Sequence, residues 1–218
     1  MIARLAQGDI DLAVVTSPNN PTGELVREEF VVRMLEASDA LVMVDEAYFE
    51  FARETVVPLL AEHKNLIVLR TFSKAYSLAG VRLGYVLAHA DVIREFIKVR
   101  QPYSVDAVSQ TIARVVFANR EAFTPGIEAI IAERARVAEA LAAVPGVTPF
   151  PSDANYILFR MDAAGEAWDY LYNRGVLIRD FSASAMLEGT LRVTIGTAAQ
   201  NDAFLTALRD FVSERQGL

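Results

Sequence analysis

Apolar positions in the first part of the chain come in short unbroken runs rather than in alternation. Leu12 to Thr16, Leu41 to Asp45 and Leu66 to Arg70 each read as a strand, and the contiguous apolar residues of the first suggest burial on both faces. Leu25, Phe30, Val31, Met34 and Leu35 fall at helical spacing and predict a helix over Glu24 to Ala37. Pro58 to Glu62 predicts a short helix. Strands separated by helix-length segments imply parallel βαβ units with right-handed crossovers. A fourth strand is expected over Leu83 to Ala88. Ala79 to Arg82 is too short for a crossover, so that strand should run antiparallel to the third.

The pattern then changes. Asp91 to Val99, Val105 to Ala118 and Ile127 to Val144 carry helical periodicity, and the last has no interior Gly or Pro. Pro145, Gly146, Pro149 and Pro151 break it. Beyond them the expected order is strand Tyr156 to Arg160, helix Glu166 to Asn173, strand Val176 to Arg179, strand Leu191 to Ile195 and helix Asn201 to Glu214. The fold class is therefore α/β: a mostly parallel sheet flanked by helices over residues 1–125, then a smaller α+β domain over residues 126–218. The boundary is placed in the long helical stretch, between Glu121 and Ala140.

Each of the first three strands delivers polar residues at its carboxyl end, where open α/β sheets place ligand sites. The first is followed by Ser17-Pro18-Asn19-Asn20-Pro21-Thr22-Gly23, a loop of turn-forming residues. The second ends in Val44-Asp45-Glu46-Ala47-Tyr48. The third runs into Arg70-Thr71-Phe72-Ser73-Lys74, with Arg82 following in Gly80-Val81-Arg82-Leu83-Gly84-Tyr85. An amine, an acid, a phenol, an amide and a guanidinium gathered at one sheet end match what pyridoxal phosphate (PLP) needs from a protein.

In that reading Lys74 is the Schiff-base residue. It attacks an aldehyde only as the neutral amine, so desolvation or nearby positive charge must lower its pKa. Asp45 pairs with the protonated pyridine nitrogen, and Tyr48 and Asn20 reach the ring's phenolic oxygen. Thr71, Ser73 and Arg82 hold the phosphate through hydroxyls and a bidentate guanidinium. Each part alone has a plainer explanation: a solvated loop lysine, a helix-capping aspartate, a surface arginine. Their order and spacing shift the balance. Arg192, amid the apolar Leu191 to Ile195, needs an anionic partner if buried, and reads as a substrate-anion clamp; an outward-facing position on an alternating strand is the rival. Arg179 is a second candidate, although Asp180 beside it offers a local partner. Asn155, with Tyr156, is expected to help shape the site.

Composition narrows the partners. The net charge is −7, and no basic stripe suggests a nucleic-acid groove. No apolar run reaches the length of a membrane span, and Met1-Ile2-Ala3-Arg4 opens no secretory h-region. There is no cysteine, which excludes disulfides and thiolate metal sites and fits a reducing cytoplasm. The two histidines, His63 and His89, stand apart from each other and read as surface residues near element ends. No metal site is expected.

These segments, in this order, resemble the fold-type I PLP-dependent aminotransferases, and among them the histidinol-phosphate aminotransferase family. The resemblance rests on Ser17 to Gly23, Val44 to Tyr48, Arg70 to Gly84, Asn155-Tyr156, Ile178-Arg179-Asp180-Phe181-Ser182 and Leu191 to Thr197. It implies a partial PLP-transferase large domain followed by the small domain, and amino transfer between glutamate and imidazole acetol phosphate. It implies a lysine that holds PLP covalently and then moves a proton, with Arg192, assisted by Arg179, binding the substrate anions. It further implies a small-molecule amino donor, a 2-oxo acid and a homodimer.

The sequence departs from the family pattern at Ser77, where glycine is usual, and at Ser104, where asparagine is common; both could alter substrate preference. It also lacks the family's amino-terminal portion, which carries a backbone phosphate loop, a cofactor-stacking ring, further strands and an arm to the partner subunit. One strand edge is then expected to be unpaired. Three alternatives remain: an aromatic amino-acid aminotransferase, a phosphate-decarboxylase relative, and a truncated inactive remnant that binds a partner or PLP weakly. A nucleotide-binding α/β domain fits the strands but has neither a Gly-x-Gly-x-x-Gly turn nor a Gly-Lys-Ser/Thr loop.

Overall fold

A computed structural model describes residues 1–217. The chain divides into two units: Met1–Asn19 with Leu25–Thr124, and Asn20–Glu24 with Pro125–Leu218.

The first unit runs α1 (Ile2–Leu5), β1 (Leu12–Thr16), α2 (Glu28–Ala37), β2 (Leu41–Asp45), α3 (Phe49–Ala52), β3 (Leu66–Thr71), β4 (Gly84–Ala88), α4 (Ala90–Val99) and α5 (Ala107–Ala118), with single 3-10 turns at Val57–Ala61, Ala79–Val81 and Arg120–Phe123. Its sheet has the order β1-β2-β3-β4. The first three strands are parallel, in a register that sets Thr16 opposite Asp45 and Asp45 opposite Leu69, so their carboxyl ends share one edge. β4 is antiparallel to β3, as its short connection requires. At Gly84 a Cβ would sit 2.6 Å from the Arg70 carbonyl oxygen, so only glycine allows β4 to begin that close to β3.

One face of this sheet packs Val15, Val42, Val44, Leu66 and Val68 against Leu5 of α1 and Val31, Met34 and Leu35 of α2. At 20–33 cal/mol per Å² of apolar surface, such burial is the main driving force for the unit. Beyond β3, Phe72 and Tyr76 form an aromatic cluster with Tyr85 and Phe123, under Ala113 of α5. α2 begins four residues later than its apolar spacing suggests. Arg27 is extended (φ −62, ψ 140), and the Val26 N–H donates to Ser17 Oγ rather than opening a helical turn.

The second unit runs α6 (Thr124–Ala142), β5 (Val147–Pro149), β6 (Tyr156–Met161), α7 (Ala164–Asn173), β7 (Arg179–Asp180), β8 (Thr190–Thr194) and α8 (Ala198–Gln216). Its sheet has the order β5-β6-β8-β7 and is antiparallel throughout. Phe159, Leu171, Leu191, Val193, Phe204 and Leu208 are the centre of its core. A reciprocal cap starts α8: the Gln200 N–H donates to Thr197 Oγ1, and the Thr197 N–H donates to Gln200 Oε1. The strand expected over Val176 to Arg179 is reduced to Arg179–Asp180. Val176 N–H donates to Leu171 O and Ile178 is buried in the core, so the segment closes the end of α7 before any ladder begins.

Candidate active site

The sheet edge of the first unit gathers six of the expected residues. Asp45 is the last residue of β2, and its Oδ1 accepts the Ala47 N–H at 3.0 Å, which turns the chain sharply after the strand. That turn leads to Tyr48, whose ring is buried. Thr71 closes β3. Its Oγ1 lies 3.0 Å from Ser73 Oγ and accepts the Ser73 N–H at 3.1 Å, so the two hydroxyls are held side by side. Lys74 follows directly, and its Nζ lies 5.4 Å from the centroid of the Tyr48 ring, within cation–π range.

The loop from Lys74 to Arg82 is shaped by two left-handed residues, Ser77 at φ 55 and Arg82 at φ 56. Position 77 therefore has a backbone that glycine adopts without strain. Arg82 is exposed, and its guanidinium donates to the Ala79 carbonyl at 2.9 Å.

One expectation needs correction. Lys74 is exposed, so this chain does not by itself keep the amine dry. The reason is positional: Lys74 stands three residues past the end of β3, beyond the cover of the sheet and of the α2 helix packed on it.

The remaining residues belong to the second unit. Arg192 and Arg179 face each other across the β8–β7 ladder. The Arg192 guanidinium lies 4.7 Å from the Tyr156 ring and 5.5 Å from the Phe181 ring, and it donates 2.5 Å to Asn20 Oδ1. Its Nε is buried and has no hydrogen-bond partner among the described residues. A buried guanidinium N–H without an acceptor is costly, and it suits an incoming anion. Of the two orientations left open for Arg192, the structure takes the one opposite the core, since Leu191 and Val193 on either side are buried. Asn20 belongs to this unit, and its side-chain oxygen accepts from Arg192; at Gly23, φ +86, any Cβ would run into Ser152. Asn155 stands at the start of β6, where its carbonyl accepts the Ile195 N–H at 2.9 Å.

Glu46, read from the sequence as a structural residue, centres a set of groups beneath the sheet edge whose other members sequence reasoning did not find. Glu46 is 2 % exposed and bonds to Arg70, Thr55 and the Val56 amide. Glu50 is held above the ordinary carboxylate range, chiefly by burial; Glu46 adds to this, and Arg70 and Tyr76 oppose it. Burial also raises Tyr76 and Tyr85 above the ordinary phenol range. The signal was available: Glu46 follows Asp45 directly, and period-two geometry points it away from the face that Asp45 takes.

The donor set fits PLP. It offers an amine, a carboxylate, a phenol, two paired hydroxyls and a guanidinium at one sheet end, and among the described residues no group of His, Cys, Asp or Glu could hold a metal instead. No helix among them is long and apolar enough to cross a membrane.

Comparison with known proteins decides the family. The profile of the family "Aminotransferase class I and II" matches residues 1–208. The chain belongs to that family. It is 39% identical over 202 residues to the histidinol-phosphate aminotransferase of Caldanaerobacter subterraneus subsp. tengcongensis, covering 93% of this chain and 57% of that protein. Among solved structures, it superposes with a TM-score of 0.87 and 27% identity on histidinol-phosphate aminotransferase from Sinorhizobium meliloti in complex with pyridoxal-5'-phosphate, over 98% of this chain and 60% of the other. It superposes with a TM-score of 0.83 and 29% identity on L-threonine-O-3-phosphate decarboxylase from Porphyromonas gingivalis, over 93% of this chain and 65% of the other. The chain thus spans little more than half the length of the curated relative it matches.

Proposed function

We propose that this aminotransferase chain binds PLP covalently through Lys74 and exchanges amino groups between histidinol phosphate and 2-oxoglutarate. The observation that carries the reading is the sheet edge, where Asp45, Tyr48, Thr71, Ser73 and Lys74 follow the ends of two adjacent parallel strands.

When bound, the cofactor supplies an electron sink that accepts the pair left as the substrate Cα–H bond breaks. Asp45 holds a proton on the pyridine nitrogen by its negative charge. Tyr48 donates a hydrogen bond to the phenolic oxygen. The Thr71 and Ser73 hydroxyls and the Arg82 guanidinium hold the phosphate dianion, and Arg82 leaves the Ala79 carbonyl to do so. Lys74 Nζ would anchor the cofactor covalently and, once freed, would accept the proton leaving the substrate Cα and deliver it to the cofactor carbon that carries the amino group. Lys74 is exposed in this chain, so the cover that excludes water from it would come with the bound cofactor and substrate. Arg192, braced by Asn20 and flanked by Tyr156 and Phe181, would bind glutamate's carboxylate and the other substrate's phosphate in turn, with Arg179 opposite and Asn155 helping to shape the site. The family resemblance supports a pair of identical subunits as the working assembly, and a chain without cysteine suits the cytoplasm.

Treating the purified chain with PLP and then borohydride should leave a reduced adduct on Lys74 by mass spectrometry. No adduct there sinks the reading. Rates with histidinol phosphate and with phenylalanine, each with 2-oxoglutarate, separate the substrate assignment from an aromatic aminotransferase. Likeness to the phosphate decarboxylase favours one further assay: carbon dioxide release from L-threonine O-3-phosphate would replace the transfer reaction with decarboxylation.

A further inference from the structure

We propose that Glu46 and Arg70 are positioning residues: their buried ion pair locks the loop bearing Asp45 and Tyr48 to the strand end bearing Thr71, Ser73 and Lys74. This rests on the PLP reading given above and extends it below the groups that touch the cofactor.

Glu46 follows Asp45 in the chain, and Arg70 precedes Thr71. Arg70 grips one oxygen of Glu46 with Nε at 3.0 Å and a terminal nitrogen at 2.8 Å. Thr55 Oγ1 donates to Glu46 Oε1 at 2.9 Å, and the Val56 N–H donates to the same oxygen at 2.8 Å. Thr55 Oγ1 also accepts from Arg70 at 2.8 Å. The guanidinium lies 3.5 Å from the centroid of the Phe49 ring, on the residue after Tyr48. The backbone repeats the tie, since the Glu46 N–H donates to Leu69 O at 2.9 Å and the Phe49 N–H to Glu46 O at 3.0 Å. Arg70 and the Glu46 N–H thus join the segment after β2 to the end of β3, while Thr55, Val56 and Phe49 hold Glu46 from within the β2–β3 connection.

A buried ion pair seldom stabilises a fold more than well-packed apolar groups of the same size, because both charges are stripped of water. Here it supplies direction. Two guanidinium N–H groups hold one carboxylate oxygen while Thr55 and the Val56 N–H hold the other, which fixes the carboxylate's position and plane, and on either side of the pair stand the acid and the amine that must meet across one aromatic ring.

The test uses the whole 218-residue chain and the variants Glu46→Gln with Arg70→Met, which removes both charges together and avoids orphaning either. Hydrogen exchange, read without cofactor, should show the Ala47 and Ser73 amides opening at least about tenfold faster, with Val44 and Val68 unchanged. The PLP dissociation constant should rise at least about tenfold even where the melting temperature equals the parent's. Arg70→Lys, which keeps the charge and loses the fork, should give the same pattern at smaller size if the double variant folds poorly. Parental amide exchange and parental PLP affinity in a stable variant overturn the proposal, because a purely structural pair predicts that outcome. A parent that forms no Lys74 adduct overturns the function and the cofactor part of this proposal together, while the amide exchange still decides whether the pair holds the two segments in place.

Discussion

Arg192 donates a hydrogen bond to Asn20 Oδ1 at 2.5 Å, across 172 positions of sequence. Both residues belong to the second unit, and the contact fixes one end of a guanidinium whose Nε has no acceptor among the described residues. If that nitrogen serves an anion, Arg192→Gln should weaken binding of 2-oxoglutarate by about tenfold to a hundredfold, since a charge-assisted hydrogen bond contributes about 1.5–3 kcal/mol. Calorimetric titration checks it. Arg192→Lys should recover only part of the loss, because an ammonium cannot make the paired contact.

Ser77 sits at φ 55 and is exposed, so its side chain costs backbone energy with little packing in return. Ser77→Gly should stabilise the chain by about 0.5–1 kcal/mol, the relief of the left-handed strain less the extra entropy of glycine in the unfolded state. Urea unfolding with an unchanged m-value is the measurement.

Glu133 accepts from Arg136 and from Asn201, and these two hydrogen bonds, Arg136 first, lower its pKa to about 2. A carboxylate depressed in the folded state adds stability that is complete above its unfolded pKa and is lost as pH falls through the folded one. The melting temperature should therefore fall between the ordinary glutamate range and pH of about 2, and Glu133→Gln should flatten that part of the profile.

Glu50 has the opposite sign. Burial raises its pKa, so the folded state prefers the protonated form and gains relative stability as pH falls through that raised value. Glu50→Gln, which resembles the protonated acid, should raise the melting temperature at neutral pH. The gap should close as the parent is acidified.

The strands of the first sheet were legible because β1, β2 and β3 are unbroken apolar runs, and the antiparallel β4 because a connection of a few residues admits nothing else. β5 escaped, since Pro145 and Pro149 read as breakers; Pro149 is tolerated because β5 lies at the edge of its sheet. The extended Val176 to Ile178 mimicked a strand, because burial against α7 produces the same apolar pattern as a ladder. Of the candidate site, the groups local to one strand end could be read directly: Asp45 with Tyr48, and Thr71 with Ser73 and Lys74. The Asn20–Arg192 bond and the Glu46–Arg70–Thr55 network could not, because each depends on which distant strands become neighbours. The exposure of Lys74 was hidden for the same reason, since dryness depends on what covers a residue rather than on the residue itself.

The chain has a single tryptophan, Trp168, which donates its indole N–H to Ile178 O at 2.9 Å and stacks on Tyr172 with 5.2 Å between ring centroids. All three residues belong to the second unit, so selective excitation at the red edge of the near ultraviolet makes its emission a private reporter on that half of the polypeptide. Far-ultraviolet dichroism, which averages over all helices, would register the loss of either half. A denaturation in which the two signals part company would reveal that the units melt one after the other.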